Sequence, residues 1–121
     1  MTPAEVSALV GLQLAHRYIK ASTSHSGYNC AFNNGDNYDS PELPRAYIIA
    51  DPTVPAVSPV GGARAVPGVP NATYSLEQHP GTDILGVYCP GGGDNQLVIQ
   101  AFSTTPFTAT EATQTAKRLC A

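Results

Sequence analysis

The sequence predicts a protein of the α+β class, an antiparallel sheet of about four to five strands with an N-terminal and a C-terminal helix packed on it. Capping motifs open a helical pattern near each end of the chain, and runs rich in β-branched and aromatic residues lie between them. Strands grouped between two terminal helices are typical of such sheets. The chain has 121 residues, so we expect residues 1–121 to form a single domain.

The first predicted element is a helix over residues 3–21. Thr2 can cap its N-terminus, Pro3 suits the first helical position and Glu5 completes a capping box. Apolar residues then follow the helical period, and basic residues near the end suit the helix dipole. We therefore expect a long amphipathic helix with one broad face on the sheet.

The sheet region is predicted to span residues 28–102. Its strand candidates are Tyr28–Phe32 and the runs RAYIIA, ATYSLEQ, DILGVYC and NQLVIQAF. Five prolines between Pro52 and Pro70 predict an irregular Pro-rich loop over residues 51–70. Such long loops often carry function, so this loop is a candidate partner-contact surface, with a plain connection as the alternative.

The glycines of GVYCPGGGDNQLVIQAF raise the question of a phosphate site. A phosphate-binding glycine loop follows a strand and opens a helix, so that backbone amides face the anion. Here a strand candidate follows, and the loop has no lysine. The glycines therefore predict a turn between two strands.

The last predicted element is a helix over residues 109–120. Thr108 and Glu111 repeat the capping box, and Ala112, Ala116 and Leu119 would share one face.

Composition and charge favour an extracytoplasmic protein. Charged residues make up 12% of the chain and the net charge is −3, without the basic stripe that nucleic-acid binding requires, so no nucleic-acid partner is expected. No apolar run reaches the length of a membrane-spanning helix. We interpret Met1 as the replacement of an export signal and expect a secreted monomer, or one held by a membrane tether upstream of residue 1.

The cysteines predict a single disulfide between two of Cys30, Cys89 and Cys120, with the pairing left open. Three buried, unpaired thiols are the alternative, because free cysteine is among the most buried residue types. The spacing is too wide for a zinc site built from close pairs, and no metal or other cofactor is predicted.

Glu77 and His79 are the weak catalytic candidates. They lie two residues apart, so in a strand both side chains would emerge on one face, where a carboxylate could orient an imidazole. The alternative is a solvated strand end before the turn HPGTD. No established hydrolase motif is present, so the sequence favours a protein without catalysis.

The candidate binding residues are aromatic, with one arginine: Tyr28, Phe32, Tyr38, Tyr47 and Arg64. The aromatic residues could line a pocket between sheet and loop, although such residues more often belong to a core or its rim. In addition, Asn71 begins the triplet NAT, a candidate glycosylation site if the protein passes through a eukaryotic secretory pathway.

Several segments, in order, resemble a family of small secreted actinobacterial lipoprotein domains: TPAEVSALVG, NCAF, VPGVPNATYSL, DNQLVIQAF and ATEATQTAKRLCA. The resemblance implies a helix–sheet–helix domain tethered to a membrane surface, with no catalytic residues to carry over. The family usually has a cysteine just before the first helix. This chain lacks it, so the resemblance leaves the partner of Cys30 open.

A rival resemblance is to secreted fungal ribonuclease-like effector proteins, through GYNC, FNNGDNYDSPELPRAYII and PGTDILGVY. The order of catalytic residues in that group is not present here. This resemblance therefore implies a catalytically inactive effector that binds a host protein.

The function that the sequence favours is a secreted or surface-tethered binding module for a small molecule, an envelope component or a protein partner. The Pro-rich loop and the adjacent sheet face are the expected contact surface. The inactive effector is the alternative.

Overall fold

A computed structural model describes residues 1–21, 28–51, 63–90 and 96–120. Within these ranges the elements are, in chain order, α1 (Pro3–Val10), β1 (His16–Ala21), β2 (Tyr28–Asn33), β3 (Arg45–Asp51), β4 (Arg64–Ala65), β5 (Thr73–His79), β6 (Thr82–Pro90), β7 (Gln96–Ser103) and α2 (Ala109–Leu119).

The strands form one antiparallel sheet of seven strands in the order β1-β2-β3-β7-β6-β5-β4. The protein is therefore mostly β, with two short helices, and the predicted sheet of four to five strands was wrong. The additional strands are β1, which lies in the segment predicted as helix, and β4, which lies in the predicted Pro-rich loop. The combination of an antiparallel sheet with helices is nevertheless present.

The predicted helix over residues 3–21 is also corrected, because α1 ends at Val10. The capping box of Thr2 and Glu5 is formed, but Gly11 adopts a left-handed conformation with φ 70° and its N–H donates to Ser7 O. This arrangement is a common helix end. Residues 16–21 then pair with β2, from His16 opposite Asn33 to Ala21 opposite Tyr28. Pairing with β2 gives hydrogen-bond partners to the backbone groups on one side of this segment. The helical periodicity of the sequence does not show that a partner strand is present.

Helix α2 lies within the predicted range 109–120 and packs on β5, β6 and α1. Its N-terminus has the capping box of Thr108 and Glu111. Thr115 Oγ1 donates a hydrogen bond of 2.9 Å to Leu9 O, which joins the two helices.

The sheet has two unlike faces. The covered face packs against the helices, and its largest buried side chains include Phe32, Leu85, Val87 and Ile99. The opposite face, here called the open face, is formed by the residues that alternate with these along the same strands.

A disulfide between Cys89 and Cys120 ties β6 to the end of α2, with a Cα–Cα distance of 5.2 Å. The predicted single disulfide is thereby confirmed. The thiol of Cys30 is free and half-buried. Cys30 also packs against the core.

Two predicted loops fall partly or wholly outside the described residues. Of the Pro-rich loop, residues 52–62 are not described, and residues 63–70 contain β4 and the start of a turn in which Val66 is buried. The turn predicted at the glycines also falls on residues outside the described ranges, 91–95, and its flanking strands β6 and β7 are antiparallel neighbours. Neither α1 nor α2 is long and apolar enough to cross a membrane.

Candidate binding site on the open face

Three aromatic rings contact one another in a row on the open face. Tyr38 and Tyr47 lie with ring centroids 5.9 Å apart, and Tyr47 meets Phe102 edge-on at 5.7 Å with an interplanar angle of 87°. All three side chains are half-buried. Such tilted and edge-on pairs are the favoured geometry of aromatic rings. We call Tyr38, Tyr47 and Phe102 the aromatic row.

A cation lies over each end of the aromatic row. Lys20 Nζ is 5.6 Å from the ring centroid of Tyr38, and the guanidinium carbon of Arg45 is 4.6 Å from that of Phe102. Arg45 also donates a hydrogen bond from Nη1 to Pro41 O. Cation–π contacts of this kind hold the charged groups against the rings while leaving Lys20 exposed.

Strand register positions these side chains. Arg45 and Tyr47 are two residues apart in β3 and therefore share a face, and Arg45 lies directly opposite Phe102 of β7. Tyr47 lies opposite Gln100, which makes Tyr47 and Phe102 diagonal neighbours. Ala46 and Ala101, which alternate with them, are fully buried on the covered face.

Tyr38 comes from the loop between β2 and β3, and hydrogen bonds within that loop hold it. Asn33 Oδ1 accepts from the Gly35 N–H at 2.9 Å, and Asn33 Nδ2 donates to Asn37 O at 3.1 Å. Asn37 Oδ1 accepts from the Asp39 N–H at 2.9 Å. Asparagine side chains commonly replace backbone partners in turns, which explains the sequence NNGDN.

Three further hydrogen bonds join the same loop to β1 and to the residues just before it. Asn34 bonds to Gln13 O and the Ala15 N–H, and Tyr18 donates from its hydroxyl to Gly35 O at 2.7 Å.

Burial raises the pKa of the Tyr38 phenol above its ordinary value, with a smaller effect from Tyr47. The Tyr38 phenol, which at its ordinary pKa of 10.0 is already neutral at physiological pH, is held still further from ionisation, so its contact with Lys20 is a cation–π contact with a neutral ring.

The structure brings together two of the predicted binding residues, Tyr38 and Tyr47. Phe32 belongs to the core of the covered face with 1% exposure, and Arg64 lies on β4 at the sheet edge opposite β1. The side chain of Tyr28 lies outside the described residues. Asn71 is exposed, in the turn between β4 and β5, with φ 65°.

Glu77 and His79 form an exposed pair at the end of β5, with 3.3 Å between His79 Nε2 and Glu77 Oε2. Their side chains are 43% and 57% exposed. Across the described ranges, no group of three or more His, Cys, Asp or Glu side chains could hold a metal ion. Among the described residues, no third side chain is seen to orient this exposed pair.

Sequence reasoning missed Lys20, Arg45 and Phe102. Lys20 lies in the segment predicted as helix, and only the pairing of β1 with β2 places it near Tyr38. Arg45 could have been found, because RAYIIA places Arg45 and Tyr47 on one face of a strand by simple alternation. Phe102 becomes their neighbour only through the pairing of β3 with β7, which a single strand does not encode.

No protein-family model matches the chain, and neither a curated protein nor a solved structure matches it.

Proposed function

We propose that this chain is an extracytoplasmic binding module without catalysis, which recognises a protein partner through the aromatic row and its two flanking cations. The observation that carries the proposal is the row itself, with three half-buried rings between Lys20 and Arg45 on the face opposite the helices. Aromatic residues and arginine are enriched in protein interfaces, where a few of them supply most of the binding energy.

The shape of the site favours a protein partner over a small molecule. Small-molecule sites are concave and lined by apolar and aromatic side chains. Two depressions formed by described residues lie beside α1, and neither has an aromatic ring in its lining. The aromatic row instead lies along a sheet face, where its rings can bury area against another flat surface.

The disulfide supports the extracytoplasmic part of the proposal. Disulfides persist in oxidising compartments and are rare in the reducing cytosol, so the Cys89–Cys120 bond is compatible with an extracytoplasmic location. Both family resemblances imply the same compartment. The inactive effector remains the alternative identity, and it also predicts a protein partner.

Photocrosslinking tests the proposal. A benzoylphenylalanine at Gln100, directly opposite Tyr47, is expected to give one saturable adduct in the extracellular fraction of the producing cells. Excess wild-type protein should abolish the adduct, whereas a Tyr47→Ser competitor should not. The matched control carries the same probe at Gln114, exposed on α2, and is expected to give no adduct.

Equal adducts from both positions, or an adduct that the Tyr47→Ser protein competes away, would show that the aromatic row is not the contact surface.

A parallel assay of RNA cleavage examines the enzyme alternative. Cleavage by the wild type that His79→Ala abolishes would contradict a non-catalytic module.

A further inference from the structure

Strand β1 is an open edge of the sheet. All six of its residues pair with β2, and in the described ranges no strand pairs with its other side. An edge strand presents a row of unpaired N–H and C=O groups, to which another strand can add. The opposite edge is different, because β4 has only two residues there and pairs only with Thr73 and Tyr74 of β5.

The β1 edge is cationic on both sides of the sheet. Arg17 and Ile19 point to the covered face, while Tyr18 and Lys20 point to the open face, as their partners in β2 require. The strand contains no acidic residue. Among the described residues, no carboxylate lies within 4.0 Å of the Arg17 or Lys20 nitrogens.

Ile19 adds an apolar position between these charges. Ile19 is 59% exposed, although the core lies on the same face elsewhere in the sheet. The helices therefore do not cover Ile19. Arg17, on the same face, donates from Nη1 to Met1 O at 2.9 Å, next to the start of α1, which leaves other N–H groups of its guanidinium for a carboxylate. A strand added at β1 would have an apolar neighbour at Ile19 and a cation at Arg17, two residues away on the same face. Lys20 would lie on the opposite face.

We infer that β1 accepts an extended acidic segment of the partner protein as an eighth strand, which adds backbone hydrogen bonds to the recognition by the aromatic row. The inference rests on the proposed function, since Lys20 belongs both to β1 and to the contact with Tyr38. Carboxylates three positions apart on the added strand can face Arg17 and Lys20, because an odd spacing sends them to opposite faces.

A second copy of this chain suits the edge poorly. Pairing β1 with its own copy would bring two arginines and two lysines to one seam without a carboxylate from either strand. Like charges close together across paired strands are destabilising. An acidic segment replaces this repulsion with attraction, which is why the charge of the edge selects the partner's chemistry.

The experiment uses the disulfide-bonded protein and two capped synthetic octapeptides. One has two valines between two glutamates, flanked by threonines on both sides, and the other has lysines in place of the glutamates. Backbone amide NMR and hydrogen exchange are followed during titration. The glutamate peptide is expected to slow exchange at alternate residues of β1, those whose N–H groups do not bond to β2, while the lysine peptide leaves them unchanged.

Charge reversal supplies the matched variants. The double variant Arg17→Glu, Lys20→Glu is expected to weaken binding of the glutamate peptide roughly 2- to 30-fold, since each exposed ion pair contributes modestly. Lys117→Glu, Arg118→Glu makes the same change in net charge at exposed positions of α2 and is expected to leave binding unchanged.

Three outcomes would overturn the inference. Shifts confined to Tyr38, Tyr47 and Phe102, with no protection in β1, would retain the aromatic row but exclude strand addition. Concentration-dependent protection of β1 without peptide would assign the edge to a second copy. Absence of any shift at about 1 mM peptide would also overturn it. The crosslink from Gln100 tests the proposed function separately, because it needs no acidic peptide.

Discussion

The two faces of the sheet are built from the same strands but are ordered by different forces. On the covered face, aliphatic side chains such as Leu85 and Ile99 are fully buried against the helices, and burial of apolar area stabilises them. On the open face, the three rings and Arg45 are half-buried and Lys20 is exposed. These side chains are held by one another and by the hydrogen-bonded loop around Asn37. One face therefore carries the hydrophobic core, and the other presents the aromatic row.

Neighbouring residues of β6 give the largest contrast between the faces. Leu85 is fully buried on the covered face, whereas Ile84 is half-buried on the open face. Leu85→Ala is expected to lower the free energy of unfolding by about 3 to 5 kcal/mol, because it leaves a cavity. Ile84→Ala is expected to lower it by about 1 kcal/mol. Urea unfolding measures both, and equal losses would contradict the assignment of faces.

Loss of the disulfide is expected to lower the free energy of unfolding almost as much as Leu85→Ala, because the bond anchors α2 over the covered face. The bond closes a loop with a sequence separation of 31 residues. Chain entropy alone then predicts a loss of about 3 to 4 kcal/mol for Cys89→Ser or Cys120→Ser. Cys30→Ser, which breaks no bond, is the control and should cost less in the same unfolding measurement.

A smaller effect is expected on the open face from Gly35→Ala. A Cβ at Gly35 would lie 2.4 Å from Ser40 Cβ, so the loop that carries Tyr38 must shift. We expect a loss of about 1 to 3 kcal/mol and a change in the near-ultraviolet circular dichroism of the tyrosines.

Ser40→Gly removes the atoms that the new Cβ would meet. The double variant is therefore expected to lose less stability than the sum of the single variants. Strict additivity would show that the close approach of Gly35 and Ser40 does not order the loop.

The smallest expected effect on stability comes from the capping box at the start of α1. The Thr2 N–H donates to Glu5 Oε1 at 3.0 Å and holds the pKa of this exposed carboxyl below its ordinary value of 4.5. Because folding favours the carboxylate, its contribution to stability is present above pH 4.5 and is lost as the pH falls through the lowered pKa.

An NMR titration of the Glu5 carboxyl measures this pKa. Thr2→Pro removes the donating N–H and the side-chain hydroxyl, so the midpoint should return towards 4.5. Thr108→Pro makes the same change at α2 and should leave the Glu5 midpoint where it was. A midpoint that Thr2→Pro does not move would exclude the capping box as the cause.

Local signals in the sequence determined the elements whose stability is local. Both capping boxes were predicted at Thr2 and Thr108 and are formed, because each depends on residues only three positions apart. The five predicted strand runs correspond to β2, β3, β5, β6 and β7, since β-branched and aromatic residues suit a half-buried pleated surface. The sequence also predicted a disulfide, but not which cysteines form it.

The tertiary structure decided what depends on distant partners. Residues 16–21 follow an apolar pattern that fits a helix as well as a strand, and only the pairing with β2 makes them β1. In the same way, Cys89 and Cys120 come within bonding distance only because α2 packs on β6. Phe102 contacts Tyr47 only because of the register between β3 and β7. Patterns along the chain report short-range preferences, whereas these contacts follow from which strands and helices meet across the fold.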